Sequence, residues 1–366
     1  WTNIKNARPL RFLLVIAAFP LSWLLLTESF NYIFEQWYWI DKIFLFCSHA
    51  LMMVHPMFVL PYLVSMFALL SQFTFGPTHF MIIFYNMSIF CLILFLSFLY
   101  LRLFVEAPFQ VFFMGVLAVV AVTYFSMGWA KMMIGNHPLQ WPLNVRLELG
   151  VKTFQFMGWL QASSSMLRDL IYEVVYRLRG YLAMGAFLME VLAFLLVYDR
   201  KLSHLFFGLF LLFHLAAFVM FGVLFWPWMI VVAGTLMSLW GLPESEVKKI
   251  YTGRLIVAAH LGMAFLFVTG TINNKIGWWD VRSSYSFSLL AKTDDGRTVR
   301  LSRSSFAPYD RKMSFVTTQD YLIDRKFLSF SAKSFTRAEK INMNLRSPSD
   351  FQSVREENGL YRYSEV

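Results

Sequence analysis

Apolar runs of about 20 residues recur along the chain with polar connectors between them, the length a helix needs to cross a hydrocarbon core. They occupy 9–27, 43–70, 80–101, 108–126, 181–197, 205–224, 226–240 and 256–271. The predicted architecture is an all-α polytopic membrane bundle of about eight transmembrane helices. Pro56 and Pro61 interrupt the second run. Proline removes a backbone donor, so that run forms either one bent helix or two half-helices. The run at 226–240 is short, as a re-entrant segment would be. Between 127 and 180 charged and apolar positions mix, which reads as amphipathic helices at the interface or packed under the bundle.

The pattern changes after 271. Alternating stretches at 284–292 and 297–302 flank Asp294-Asp295-Gly296, the signature of a β-hairpin. The expected organisation is a helical membrane domain over 1–271, a small β-rich C-terminal appendage over 272–335 and an extended basic tail over 336–366. The first residue is Trp1 and not Met, which reads as a processed, clipped or incompletely seen start. The first apolar run is not read as a signal peptide, because it continues into a chain that spans repeatedly.

Composition sharpens the class. Hydrophobic residues make up 58% of the 366 and charged residues 15%, against about 45–50% and 25% in soluble domains. That excess excludes an ordinary soluble enzyme, a disordered chain and a disulfide scaffold. Cys47 and Cys91 both sit in apolar runs and read as packed thiols. The net charge is +10, and residues 272–366 hold 16 of the 32 Lys+Arg and 11 of the 22 Asp+Glu. A charge-dense basic tail beside a bilayer points to anionic headgroups as partner. No recognition motif accompanies it, so nucleic acid is not expected as a partner. The basic entry to the first run (Lys5, Arg8, Arg11) favours a cytoplasmic N-terminus, while the short later loops leave the orientation of the rest undecided. The expected location is an integral multi-pass position, with a bacterial inner membrane favoured.

Ionisable groups at membrane depth cost about 3 kcal/mol each on insertion scales and usually face the bundle interior. Glu190 lies in AFLMEVLAFLL and His214 in LFLLFHLAAFVMFG, on neighbouring predicted spans, where they can share a hydrogen bond or fix helix packing. Lys131 ends the run TYFSMGWAKMM, where a lysine either snorkels to the headgroups or works as a base from an apolar site. His49, His55 and His260 are the remaining candidates for holding a cofactor. Haem needs two facing axial histidines, and with no C-x-x-C-H the pattern argues against it. The spacing shows no cluster of three or four metal ligands. Gly-x-Ser-x-Gly and phosphate-loop patterns are absent from the sequence.

Four segments together resemble the HTTM family, the transmembrane domain shared with vitamin K-dependent γ-glutamyl carboxylase. They are TYFSMGWAKMMIGNHPLQW, AMGAFLMEVLAFLL, FHLAAFVMFGVLFWPWMIV and RLSRSSFAPYD, in an order that covers about residues 1–315. The resemblance implies a bundle of about eight helices around a polar cavity. It also implies that Lys131 matches the base that deprotonates a quinol, with Glu190 and His214 in the same cavity and a quinone or quinol as the cofactor. The chain departs from the carboxylase in two ways. Only residues 272–366 follow the helices, where the carboxylase carries a large further domain, and the doubled lysine appears as Ala130-Lys131.

Three functions follow as expectations. The first is a non-catalytic subunit of a larger membrane assembly that binds lipid or quinone and has other membrane proteins as partners. The second is a carboxylase-like enzyme in which Lys131, Glu190 and His214 act catalytically. The third is a transporter built on the helix breaks at Pro56, Pro61 and Pro227.

Overall fold

In the computed structural model of this chain the described residues are 8–27, 38–71, 77–104, 108–133, 137–145, 147–156, 160, 163–222, 224–272, 290–300, 321–323 and 326–328. In chain order the first helices are α1 (Arg8–Thr27), α2 (Tyr38–Leu51), α3 (Val59–Ser71), α4 (Pro77–Phe104) and α5 (Phe109–Met132). Two short ones follow, α6 (Gln140–Asn144) and α7 (Leu147–Phe156), and then α8 (Ser165–Val191) and α9 (Arg200–Phe221). The last are α10 (Trp226–Trp240), α11 (Glu244–Ile250) and α12 (Gly253–Val268). Single 3-10 segments sit at Pro56–Phe58 and Ala193–Val197. The chain divides into two compact units, 1–126 with 189–274 and 127–188 with 275–366.

The first unit is built around α1. Its apolar residues surround the helix, and Leu10, Leu14, Ala17, Leu21 and Leu25 are fully buried. A helix apolar on all faces belongs in a core or a membrane. α2, α3, α4 and α10 pack on it. The approach to α10 is close because Gly234 has no side chain: a Cβ there would collide with Ile16 Cγ2. One end further along, Gly241 lies against Pro9, so α1 and α10 run antiparallel. Polar groups at these contacts are paired. Ser22 Oγ donates to Tyr62 Oη at 3.0 Å, and Tyr62 Oη donates to the Ala18 carbonyl at 3.0 Å, tying α3 to α1.

Helix ends follow their sequence signals. Asp199 caps α9 by accepting from the Leu202 N–H at 2.8 Å. Gly222 closes the same helix at φ +66°, a left-handed conformation that glycine adopts without steric cost. The run at 43–70 resolves into two helices, because His55 and Pro56 end α2 and start a 3-10 turn before α3.

Among the described residues three helices are long and apolar enough to cross a membrane: α1, α5 and α9. α11 and α12 make a fourth candidate if their pair, bent by 50°, counts as one span. Segments at Pro56–Leu70, Met87–Arg102 and Trp226–Trp240 are apolar but shorter. The run predicted at 181–197 does not form one continuous span. α8 begins sixteen residues earlier in polar sequence, ends at Val191, and gives way to the 3-10 turn. Cys91 is buried as expected for a packed thiol, whereas Cys47 is exposed.

In the second unit the amphipathic stretch is helical, as α6, α7 and most of α8. Glu148 is fully buried at 4.0 Å from Arg179, and Gln155 Nε2 donates to the Arg168 carbonyl at 2.7 Å. The hairpin expected around the Asp-Gly turn is present as β1 (Leu290–Lys292) and β2 (Thr298–Arg300), paired Leu290↔Arg300 through Lys292↔Thr298. Gly296 takes φ +83° in that turn, and the hydroxyl of Thr293 and guanidinium of Arg297 hold the Asp295 carboxyl below its ordinary pKa. A second antiparallel pair joins β3 (Tyr321–Ile323) and β4 (Lys326–Leu328). The rest of the appendage and the tail at 336–366 lie outside the described residues.

The α1–α10 contact gives a direct test. Gly234→Leu overpacks the site and is expected to lower the unfolding midpoint by the equivalent of about 1–3 kcal/mol. Adding Ile16→Ala is expected to recover part of that loss. A single variant that melts at the wild-type temperature would show that the two helices do not meet at Gly234.

Candidate functional site

Inside the first unit one group of side chains combines buried polar atoms with aromatic walls. His214 lies in the middle of α9 and is 1% exposed, and Tyr124, on α5, is fully buried. Tyr124 Oη and His214 Nε2 are 2.7 Å apart. The Tyr124 ring lies parallel to Phe210, one turn before His214 on α9, with centroids 3.6 Å apart. The first turn of α10 closes the other side. Phe225 is 5.2 Å and Trp228 5.9 Å from the His214 ring, centroid to centroid, and Trp228 is also edge-on to Tyr124 at 5.9 Å. Glu190 is fully buried and lies within electrostatic range of the Tyr124 phenol.

Among the described residues two polar atoms of this group find no hydrogen-bond partner: His214 Nδ1 and Trp228 Nε1. Their chemistry follows from the bond that is made. If the Tyr124 hydroxyl donates to Nε2, both groups are satisfied there and Nδ1 carries the proton. The reverse assignment would strand the tyrosine proton, since among the described residues His214 is the hydroxyl's one hydrogen-bond partner. The two unpaired atoms are thus both N–H donors on adjoining rings. Leaving a buried donor unpaired costs about 1–3 kcal/mol, and in an apolar bundle no lipid tail can satisfy it. The arrangement therefore suits an acceptor oxygen carried by a largely apolar molecule.

The sequence-predicted residues are distributed as follows. Glu190 and His214 belong to the first unit, and both act on Tyr124. The direct Glu190–His214 hydrogen bond suggested by neighbouring spans is not formed, because the tyrosine takes Nε2 and Nδ1 is unpaired. Lys131 belongs to the second unit. It is 3% exposed and its ammonium lies 4.4 Å over the Trp141 ring, so the lysine and the tryptophan of one sequence segment meet in a cation–π contact.

The other three histidines are held by local contacts. His49 Nε2 is 2.9 Å from the Val15 carbonyl, and its ring packs on Tyr62. His55 caps the 3-10 turn, its Nδ1 accepting from the Met57 N–H at 3.2 Å. His260 Nδ1 is 2.8 Å from the Ile256 carbonyl of its own helix, with the ring edge-on to Tyr198. Tyr124 and Trp228 are the members of the site that the sequence did not single out. Each sits beside a residue or break that was noted, Tyr124 in TYFSMGWAKMM and Trp228 next to Pro227.

Removing the tyrosine hydroxyl tests the bond. Tyr124→Phe leaves both His214 nitrogens unpaired and is expected to destabilise by about 1–3 kcal/mol in detergent melts. The double variant Tyr124→Phe/His214→Leu is expected to lose less than the two single losses added together. Strict additivity would show that the two side chains do not interact.

No protein-family model matches this chain, and neither a curated protein nor a solved structure matches it.

Proposed function

We propose that this chain is a membrane-embedded, non-catalytic subunit of a larger assembly that binds a quinone at the Tyr124–His214–Trp228 group. The single observation carrying the reading is the pair of unpaired donors, His214 Nδ1 and Trp228 Nε1, in one buried aromatic enclosure. A quinone carbonyl accepts two hydrogen bonds, and its ring stacks on aromatic walls such as Phe210 and Phe225. A lipid ester offers the acceptor without the flat ring. Glu190, buried within electrostatic range of the phenol, adds an acid near the same group.

The same proposal includes about eight passes, with α2–α3, α4, the apolar half of α8 and α10 joining the helices already long enough, and a β-rich appendage around the two hairpins. It also includes HTTM membership, supported by the four sequence segments and by Lys131 and Trp141, which share one of them and touch.

Decylubiquinone added to the full chain in detergent is expected to raise the unfolding midpoint with concentration, as a ligand of the folded state does. His214→Leu and Trp228→Phe are each expected to weaken the apparent affinity by about 3–10-fold, the size of one lost hydrogen bond. A diacylglycerol that shifts the midpoint where decylubiquinone does not would assign the site to lipid. Equal shifts in wild type and both variants would refute a role for this group.

A second reading, a carboxylase-like enzyme, draws on the burial of Lys131, since a quinol base must be shielded from water. It predicts oxygen consumption with a reduced naphthoquinone that falls by about 100-fold or more in Lys131→Met. Absence of that consumption in the wild-type chain rejects it.

A further inference from the structure

We infer that the first unit is oriented with one strongly basic end toward the cytoplasm, resting on the anionic headgroups of the inner leaflet. Contacts and one short link within the unit assemble that end from eight helices. Pro9 of α1 lies against Gly241 at the C-terminus of α10. In the first turn of α1, Arg11 Nη1 donates to the Met53 and Val54 carbonyls just after α2, at 3.0 Å each. Gln110 at the start of α5 donates to Glu246 of α11. Arg200 at the start of α9 donates to Glu244 at 2.7 Å and to the Leu239 carbonyl of α10. Ser203 of α9 meets Tyr251, which leads into α12, at 2.7 Å. The end of α4 joins them, because only residues 105–107 separate it from 108, a link of at most about 14 Å.

Charge is divided unevenly between the two ends. This end carries Arg8, Arg11 and Arg102 from the first four helices. It also carries Arg200, Lys201, Lys248, Lys249 and Arg254 from the last four. Among the described residues its acids are Asp199, Glu244 and Glu246. Among the described residues of this unit the opposite end has Asp41 and Lys42, which cancel. There Lys42 Nζ donates to the Leu26 carbonyl at 3.1 Å, joining the start of α2 to the end of α1. Among the described residues of the unit, Glu190 is the remaining charged residue, and it is buried.

Cytoplasmic loops carry the excess of Lys and Arg, and each basic residue near an anionic leaflet is attracted to it. The sequence favoured a cytoplasmic N-terminus but left the orientation of the later helices undecided, because these residues are scattered over 246 positions of chain. Folding gathers them. Arg200 and Lys249 are paired with Glu244 and Glu246, whereas Lys201 and Lys248 are exposed, and these two supply the headgroup contact.

Site-directed labelling tests the orientation. In a Cys47→Ser background, which removes the exposed native thiol, Lys201→Cys and Thr271→Cys report the two ends. Thr271 follows α12, whose Phe267 packs on Phe125 near the far end of α5. A membrane-impermeant maleimide is expected to label Lys201→Cys in inside-out vesicles only and Thr271→Cys in right-side-out vesicles only. The reverse pattern, or labelling of either site from both sides, overturns the orientation. For the headgroup contact, proteoliposomes containing phosphatidylglycerol are compared with pure phosphatidylcholine. The unfolding midpoint is expected to rise by about 2–4 °C with the anionic lipid, and Lys201→Gln/Lys248→Gln to remove most of that rise. Equal midpoints in the two lipids, or a rise the double variant keeps, overturn the contact.

Discussion

A polar atom inside an apolar bundle has to find its partner within the chain, since hydrocarbon offers none. Most of the first unit obeys that constraint by local means. Thr123, Thr235 and Ser238 each return a hydroxyl to the carbonyl four residues back on their own helix. Ser22, Tyr62 and the Ala18 carbonyl form a short relay between α1 and α3. Other buried atoms among the unit's described residues, such as Ser88 Oγ, Gln110 Oε1 and His260 Nε2, also lack a partner, but the unpaired nitrogens of His214 and Trp228 belong to neighbouring rings. Their rings adjoin, 5.9 Å between centroids, among aromatic neighbours. The functional reading grows from this departure and not from any one residue's rarity.

The same constraint governs the helix ends. Backbone carbonyls in a last turn have no intrahelical donor, and cations there are favoured by the helix dipole. Arg11 serves the carbonyls after α2, Lys42 a carbonyl in the last turn of α1, and Arg200 a carbonyl of α10. Basic side chains thus act as caps where they also set the charge of an end. Local hydrogen-bonding need and membrane orientation are two consequences of one placement.

Several elements were legible because their cause is local. The Asp-Gly turn specifies its hairpin through Gly296, and Asp199 and Gly222 mark both ends of α9. Where a second, non-local cause competed, the pattern was incomplete. The apolar run at 43–70 could not announce its break, since prolines at 56 and 61 permit either a kink or two helices; His55 decides it by capping the turn at Pro56–Phe58. The run at 181–197 belongs to a helix that starts in polar sequence and closes in a 3-10 turn. Apolarity alone registers neither boundary. Candidate residues divide in the same way. Burial of Glu190, His214 and Lys131 follows from the cost of exposing charge or imidazole to lipid, but an intrahelical or capping bond at His49, His55 and His260 depends on rotamer and neighbour.

The sequence by itself determined the class: a helical chain with segments apolar enough to enter a bilayer, bearing a few ionisable groups that must turn inward. That follows from composition and run length, which are properties of one segment at a time. Only the tertiary structure decided which groups meet. It paired His214 with Tyr124 rather than Glu190, set Trp228 beside them, put Lys131 on Trp141, and drew basic residues from distant helices to one end. Apart from Lys131 and Trp141, which share one segment, each is a contact between segments far apart in the chain, and linear spacing carries no information about the packing that closes such distances.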